Sequence, residues 1–438
     1  MRFTTLAQWL SWQEQLHPAT IDLGLERVRE VYQRLFSDEM KLPLVITVAG
    51  TNGKGSTVAV TESILIAAGY RVGCYTSPHL QRYQERIRIQ GEEIDEASLC
   101  AAFAAIDGCR GEISLTYFEF GTLAAIWILA REALDLWILE VGLGGRLDAV
   151  NIIDPDLAII TAIDIDHRAW LGDDRETIAR EKGGILRPGI AAICSDPQPP
   201  QSLLTLAAEI GTRLYCLNRD FFVEEKGEGR WQFRSAQQQF DLPTPPLKGR
   251  FQLDNCGGVV MGLALLQQRL KVNRQQMEAG LRRATLSGRF GRLQQKPGVI
   301  VDVAHNRQAV EALATLLRQH PCSGQRIAIF SLLKDKDGGA IVAAMGDLIA
   351  QWWVVSSSGE RGVAAPVLAE VVRSAGGNAV QIATTTAEAV ASVLEQAADE
   401  DEIIVFGSFQ LVAEAMKIFP EGEMVTVGRN GIGGTEDE

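Results

Sequence analysis

Apolar positions in the first half of the chain gather in runs without strict alternation, the pattern of strands covered on both faces. These runs are "LPLVITVAG" at 42–50, "YRVGCYTS" at 70–77, "LDLWILEVGLGG" at 134–145, "DPDLAIITAIDIDH" at 154–167 and "GIAAICSD" at 189–196. Helix-like stretches lie between them, among them 56–68 and 121–133. Strand and helix in regular alternation predict a parallel sheet with right-handed crossovers. Residues 215–245 break the rhythm. Alternating positions there flank "KGEG" at 226–229, which predicts a small antiparallel appendage turning on a hairpin. A helix is expected next, from Cys256 to Leu270. The rhythm then restarts with "GVIVDVAHN", "QRIAIFSLLKDKD", "QWWVVSSS", "GNAVQIAT" and "DEIIVFGSF", five strands of a separate doubly wound domain. Polar residues, glycine and proline rise at "SGRFGRLQQKPG", 287–298, where the boundary is placed. The expected fold class is therefore α/β with two domains. A mostly parallel sheet domain with the appendage spans 1–288, and a doubly wound domain spans 297–427. The last ten residues, 429–438, read as a frayed end.

Length agrees with that division, since 438 residues exceed what one core comfortably holds. A hydrophobic share of 46% against 22% charged residues marks a globular chain. The net charge of −13 argues against bulk binding to nucleic acid or a membrane surface, yet leaves room for a local basic pocket. The seven cysteines are odd in number and include no C-x-x-C pair, so they read as buried free thiols in a reducing cytosol. The N-terminus is amphipathic but carries Gln13, Glu14 and Gln15 and has no apolar core of a signal peptide. No run of about 18 apolar residues offers a membrane span. A cytoplasmic monomer is expected.

Chemistry is sought beyond the carboxyl ends of the strands, where parallel sheets open their ligand crevice. The first strand runs into Gly50-Thr51-Asn52-Gly53-Lys54-Gly55-Ser56-Thr57. This departs from the common phosphate loop G-x-x-x-x-G-K-[ST]: Val48 stands at the first glycine, and Gly55 separates Lys54 from Ser56. The loop reads either as a glycine-rich turn with a surface lysine or as an anion cradle. In the second reading backbone N–H groups turn inward, a helix N-terminus faces the anion, and Lys54 adds a full charge. Glu140, arriving after an apolar strand as a Mg²⁺-organising carboxylate does, favours the cradle. Ser77 and His167 each read alone as ordinary strand ends. Beside Glu140 they point to hard divalent cations. Lys182 next to Glu181 reads, from composition, as a solvated charge pair. Asp302, His305 and Asn306 follow a strand of the second domain, and Arg289 in the interdomain segment has the chemistry to meet a phosphate.

Together these residues carry a resemblance. The loop "GTNGKGS" resembles that of the Mur-ligase superfamily of ATP-dependent amide-bond-forming enzymes. "YTSPHLQRYQERI", "TYFEFGTLAA", "EVGLGGRLDAVN", "EKGGIL", "DVAHN" and "GSF", in that order, resemble the folylpolyglutamate synthase family in its bacterial form, which is also dihydrofolate synthase. The likeness runs from "IDLGLERV" at 21 to "GSFQLVAE" at 407–414. It implies a P-loop ATPase-type first domain and a Rossmann-like glutamate-ligase domain. It also implies ATP and two Mg²⁺ as cofactors, with dihydropteroate or a reduced folate and L-glutamate as partners. By the same resemblance Thr51, Asn52, Gly53, Lys54, Gly55, Ser56 and Thr57 cradle phosphates, with Asn255, Arg289 and Asp302 as further ATP contacts. Ser77 and Glu140 match one metal site. Glu140, His167 and Lys182 match a second, with Lys182 carbamylated, which overturns the solvated-pair reading. Pro78, His79, Arg82, Phe118, Phe120 and Arg146 match the region of the pterin-bearing substrate. His305 and Ser408 match that of phosphate and glutamate. The chain departs from the family at Arg168 and Ala169 after His167, in "DNCGG", at Arg307 after "AHN", and at Gly291.

The chemistry so implied is activation of a carboxylate as an acyl phosphate, followed by attack of the glutamate amine. Lys54, Glu140, His167, Lys182, Arg289 and His305 form the catalytic set, and the two domains are expected to close over the water-sensitive intermediate. Two other readings stand beside it. One is chain extension of reduced folates alone. The other is a P-loop regulatory switch, for which neither "EKGGIL" nor "DVAHN" is needed.

Overall fold

The computed structural model describes residues 2–36 and 40–419. The frayed end expected at 429–438 and the limit at 427 lie outside the described residues. Two compact units divide the chain. One runs to Pro245 and resumes over Arg250–Leu286; the other comprises Pro246–Gly249 and the residues from Ser287 onward.

The first unit is built on an eight-stranded sheet: β1 (Leu44–Ala49), β2 (Val72–Tyr75), β3 (Ile87–Ile89), β4 (Glu92–Glu93), β5 (Leu136–Glu140), β6 (Leu157–Ile160), β7 (Ala191–Cys194) and β8 (Arg213–Cys216). Their order is β4-β3-β2-β5-β1-β6-β7-β8, and β3 alone runs against the others. All six residues of β1 are buried, as helices on both sides of a central strand require. On one side β1 pairs with β5 and on the other with β6, so the chain reverses its order of addition at β1. One helical layer buries Trp9, Phe103, Phe120 and Trp137 in a single apolar cluster, to which the N-terminal helix Leu6–Leu16 contributes Leu6 and Trp9.

Helix starts differ from the sequence expectation by two to six residues. The helix expected at 56–68 is Lys54–Ala67, led by Gly53 in the left-handed region (φ 93°). The one expected at 121–133 is Tyr117–Leu129. A capping box sets its start: the Thr116 hydroxyl accepts from the Glu119 N–H, and the Glu119 carboxylate accepts from the Thr116 N–H. The helix expected at 256–270 is Arg250–Leu265.

The appendage is a three-stranded antiparallel sheet of β9 (Phe221–Gly227), β10 (Arg230–Ser235) and β11 (Gln239–Pro243). Phe221, Trp231 and Phe233 are buried. The sheet meets helix Arg250–Leu265 at Gly257, where a Cβ would lie 2.3 Å from Val223 Cγ2.

In the second unit six strands, β12 (Gly291–Gln294), β13 (Gly298–Asp302), β14 (Arg326–Phe330), β15 (Gln351–Val355), β16 (Val380–Ala383) and β17 (Glu402–Phe406), form one sheet. The order is β12-β13-β17-β14-β15-β16, parallel except for β12. The five expected strands are all present. β12 is additional: an edge strand that buries only Leu293 is too polar to stand out in sequence.

One ion pair ties the edge of the first sheet to the helix that follows β1. Arg88 of β3 reaches Glu62 with Nη2–Oε2 at 2.7 Å and Nε–Oε2 at 3.1 Å, and its Nη1 donates to Thr76 Oγ1 at 3.2 Å. The Glu62 side chain is 8% exposed. Arg88→Met strands that carboxylate and should cost about 3–5 kcal/mol in urea unfolding, while Arg88→Met with Glu62→Leu should recover most of the loss. A single-variant cost under about 1 kcal/mol would mean the pair behaves as a surface contact.

Candidate active site

Because β2, β5, β1 and β6 are adjacent and parallel, their carboxyl ends open along one edge of the sheet. The loop after β1 is stapled to the loop after β6. Thr51 N–H donates to Ala162 O at 2.8 Å, Thr51 Oγ1 to Asp164 O at 2.9 Å, and Thr161 Oγ1 to Asn52 O at 2.7 Å. On its other side the loop meets Asn255. A Cβ at Gly53 would lie 2.7 Å from Asn255 Oδ1, so only glycine fits there. Lys54 folds back over the loop and its Nζ donates to Gly50 O at 3.1 Å. Ser56 and Thr57 are buried at the start of the helix. A Cβ at Gly55 would stand 4.0 Å from Glu140 Oε2, and that same oxygen accepts from Ser77 N–H at 3.4 Å. The structure thus sets Glu140 between the loop and Ser77. Asn255, far away in sequence, joins the same constellation.

Lys182 ends the helix Arg175–Lys182, and two glycines let it pack deep. A Cβ at Gly145 would lie 2.8 Å from the carbonyl oxygens of Glu181 and Lys182, and one at Gly184 would lie 2.3 Å from Arg146 Cα. The Arg146 N–H donates to Glu181 O at 2.8 Å, and Asn151 Nδ2 bridges Arg146 O and Gly184 O. "GLGGRLDAVN" and "EKGGIL" are therefore locked together through backbone. The solvated-pair reading fails here: Lys182 is only 3% exposed. Successive helical residues point apart, so Glu181 turns away and binds Arg146 at 2.9 Å instead. Burial, then the charge of Lys54, pushes the Lys182 ammonium down to about 7, against the pull of Asp166 and Asp148.

Asp148 and Asp166 are absent from the sequence-derived set. Burial raises the Asp148 carboxyl to about 7 although it accepts N–H bonds from Leu143 at 2.8 Å and Val150 at 3.0 Å. Its signal in sequence is one acid in an otherwise apolar, glycine-rich loop. Asp166 is also buried; its carboxylate accepts from the His167 N–H at 2.7 Å. His167 sits in the left-handed region (φ 51°), its ring 6.2 Å from that of Trp170.

Of the residues assigned to the pterin-bearing substrate, Pro78 and Arg82 are exposed and His79 and Phe118 half-buried. His79 Nδ1 accepts from Arg86 Nε at 2.8 Å, and burial, then Arg86, pushes the imidazole down to about 4, so the ring is neutral near pH 7. Phe118 packs on Gly142, where a Cβ would lie 2.5 Å from the ring. Arg82 reaches Glu93 at 3.1 Å, and Arg146 is exposed beside Glu181. Phe120 is a correction. It is fully buried, 5.6 Å from Phe103 and 5.9 Å from Trp12 between ring centroids, and belongs to the core. On the helix Tyr117–Leu129, residues 118 and 120 lie about 200° apart, so both cannot face one ligand.

In the second unit Arg289 and His305 flank Phe409: the guanidinium stands 5.8 Å and the imidazole 5.7 Å from its ring. His305 Nδ1 lies 2.8 Å from Val303 O, and because a carbonyl oxygen only accepts, Nδ1 carries a proton. Asp302 is buried and accepts from the N–H groups of Phe290 and Ala304, each at 2.8 Å. Burial raises its pKa, and Arg289 opposes that shift. Ser408 is buried, shares a 2.7 Å contact with Ser331 Oγ and caps the helix Phe409–Met416.

Proton binding at Lys182 couples stability to pH. Between about pH 7 and its ordinary 10.5 the unfolded chain holds a proton that the folded chain does not, so stability from this site rises with pH across that window. Lys182→Met should abolish that rise and, below pH 7, be more stable than the parent. Equal pH slopes in urea titrations of the two proteins would show a solvated lysine.

Residues 288–409 match the family model described as Mur ligase, glutamate ligase domain. The chain is 42% identical to the dihydrofolate synthase/folylpolyglutamate synthase of Escherichia coli strain K12, over 94% of this chain and 95% of the relative. Identity to the protein of the same description from Haemophilus influenzae is 38%, over 93% of this chain and 96% of the relative. Among solved structures, E. coli FolC in complex with DHPP and ADP superposes with a TM-score of 0.89 at 41% identity, covering 95% of this chain and 97% of that one. A bifunctional folylpolyglutamate synthase/dihydrofolate synthase with Mn, AMPPNP and L-glutamate bound gives a TM-score of 0.87 at 42% identity, covering 95% and 98%. With identity sustained over nearly the full length of both partners, this chain belongs to the dihydrofolate synthase/folylpolyglutamate synthase family.

Proposed function

We propose that the chain joins L-glutamate to dihydropteroate and to reduced folates at the expense of ATP. The observation that carries this reading is the placement of Glu140 against both Ser77 and the phosphate-type loop, with the buried amine of Lys182 within the field of Lys54.

A carboxylate acylates poorly because its leaving group would be oxide. Phosphorylation by ATP converts that oxygen to phosphate, a good leaving group. The glutamate amine then attacks the acyl phosphate, and the tetrahedral intermediate collapses to the amide with release of phosphate. In this reading Thr51 to Thr57 cradle the triphosphate, and Lys54 leaves its carbonyl partners to meet phosphoryl oxygens. Asn255, Arg289 and Asp302 serve ATP. His305 and the segment begun by Ser408 serve phosphate and glutamate. Pro78, His79, Arg82, Phe118 and Arg146 line the acceptor's side. Phe120 supports them from the core.

Ser77 and Glu140 would hold one Mg²⁺, and Glu140, His167 and a carbamylated Lys182 a second. Oxygen donors suit this hard cation. Lys182 fits the role chemically: a buried amine near pKa 7 is substantially unprotonated, which is the form that adds carbon dioxide. The resulting carbamate replaces repulsion from Lys54 by attraction. Bound there, the cations would offset charge on the transferred phosphoryl group. We also place the reaction in the cytoplasm, on a single chain. All seven cysteines are free thiols, and no helix among the described residues is long and apolar enough to cross a membrane.

Mass spectrometry of products from dihydropteroate and from tetrahydrofolate, each with ATP and glutamate, tests the reading. One added glutamyl unit on dihydropteroate and one or more on tetrahydrofolate are expected. Product from tetrahydrofolate alone would narrow the activity to chain extension, and ATP turnover independent of both acceptors would indicate a regulatory switch. Lys54→Ala should lower turnover at least about 100-fold without unfolding the chain. Lys182→Ala should lose activity and regain part of it with a small carboxylic acid; no regain at any concentration counts against the carbamate.

A further inference from the structure

Three arginines have a relative exposure under 10% in the described residues: Arg86, Arg110 and Arg326. Two of them sit on carboxylates, Arg110 on Asp107 at 3.1 Å and Arg326 on Glu402 at 3.0 Å. Arg86, 8% exposed, makes no ion pair with any described residue. The acid next to it in sequence is committed elsewhere: Glu85 accepts from the backbone N–H groups of Leu80, Gln81 and Arg82, each at 2.7 Å. A guanidinium has five N–H donors, and here one of them has a protein acceptor, from Nε to His79 Nδ1 at 2.8 Å. Burying a cation without a counter-charge is costly, so an arrangement of this kind points to an anion supplied from outside the chain.

The surroundings define which anion fits. Arg86 Cζ stands 5.0 Å from the ring centroid of Tyr83 and 5.5 Å from that of Tyr117, so two aromatic rings flank the guanidinium. Its in-plane donors remain, and neither terminal nitrogen is among the buried, partnerless atoms, so each keeps an opening to solvent. The two parallel terminal donors of a planar guanidinium match a carboxylate held in fork-to-fork fashion better than a tetrahedral phosphate. His79 extends the donor set. Its Nδ1 is occupied as an acceptor, so Nε2 carries the ring proton.

This slot lies beside the turn that carries Ser77, one residue from the amide N–H that Thr76 donates to Arg86 O at 2.8 Å. Resting on the function proposed above, the two acceptors differ in the relevant group. Dihydropteroate has one carboxylate, and it reacts. A folate reacts at the γ-carboxylate of its glutamyl tail and keeps a spare α-carboxylate. We propose that Arg86, assisted by His79, forms a carboxylate slot that holds the α-carboxylate of the terminal glutamyl residue of a folate acceptor. The residue thereby separates chain extension from the first glutamylation.

The test is a comparison of acceptors on Arg86→Gln and Arg86→Lys. The KM for tetrahydrofolate should rise at least about tenfold more than the KM for dihydropteroate in Arg86→Gln, with part of the loss restored in Arg86→Lys. Tetrahydrofolate bearing an α-carboxamide should be a poorer substrate for the parent by a similar factor and show little further loss with Arg86→Gln. Equal losses for both acceptors would overturn the proposal and leave Arg86 a support for the turn. A rise confined to the KM for glutamate would assign the slot to the incoming amino acid and overturn it equally. Product formation from dihydropteroate by the parent is the separate check on the underlying function, so failure of the slot and failure of the reaction are distinguishable.

Discussion

A desolvated ammonium, that of Lys182, governs the candidate site. The segment that carries it can reach its buried position only because Gly145 and Gly184 admit backbone to within contact distance. Once there, the amine feels both the loss of water and the charge of Lys54, and its proton becomes weakly held near neutral pH. A lysine in water remains a cation and would repel metal ions. The same side chain buried beside Lys54 is an amine ready to become an anion, and that change is what the proposed second metal site requires.

The sheet supplies the rest of the arrangement. Its order reverses at β1, and ligands of open α/β sheets bind where strand order reverses. Glu140 ends β5, the phosphate-type loop follows β1, and Ser77 follows β2, so three chain segments converge at one edge of the sheet. The Glu62–Arg88 pair fixes the antiparallel edge through Thr76, next to Ser77. The turn that would hold a metal is thus braced by a charge pair outside the reacting groups.

Much of this was legible in the sequence. Apolar runs marked β1, β2, β5, β6 and β7, though not the short outer strands β3, β4 and β8, and the residues at the carboxyl ends of those runs gave Glu140, Ser77 and the loop. What stayed hidden has physical reasons. Burial of Lys182 depends in part on Gly145, some forty residues away, and its neighbour Glu181 suggested a pairing that helix geometry forbids. Phe120 stood two places from Phe118 on a helix, where faces are set by a turn of about 100° per residue, so adjacency in sequence misassigned it. Arg86 shares its motif with Arg82 and lies two residues from Arg88, and only the spatial absence of a carboxylate distinguishes it. β12 buries one side chain and so leaves almost no hydrophobic trace.

The account turns on the chemical state of Lys182, and carbon-13 NMR reads it directly. Protein equilibrated with ¹³C-bicarbonate near neutral pH and Mg²⁺ should give a carbamate carbonyl signal that is absent from Lys182→Met under the same conditions. An identical spectrum from the two proteins would contradict the central claim.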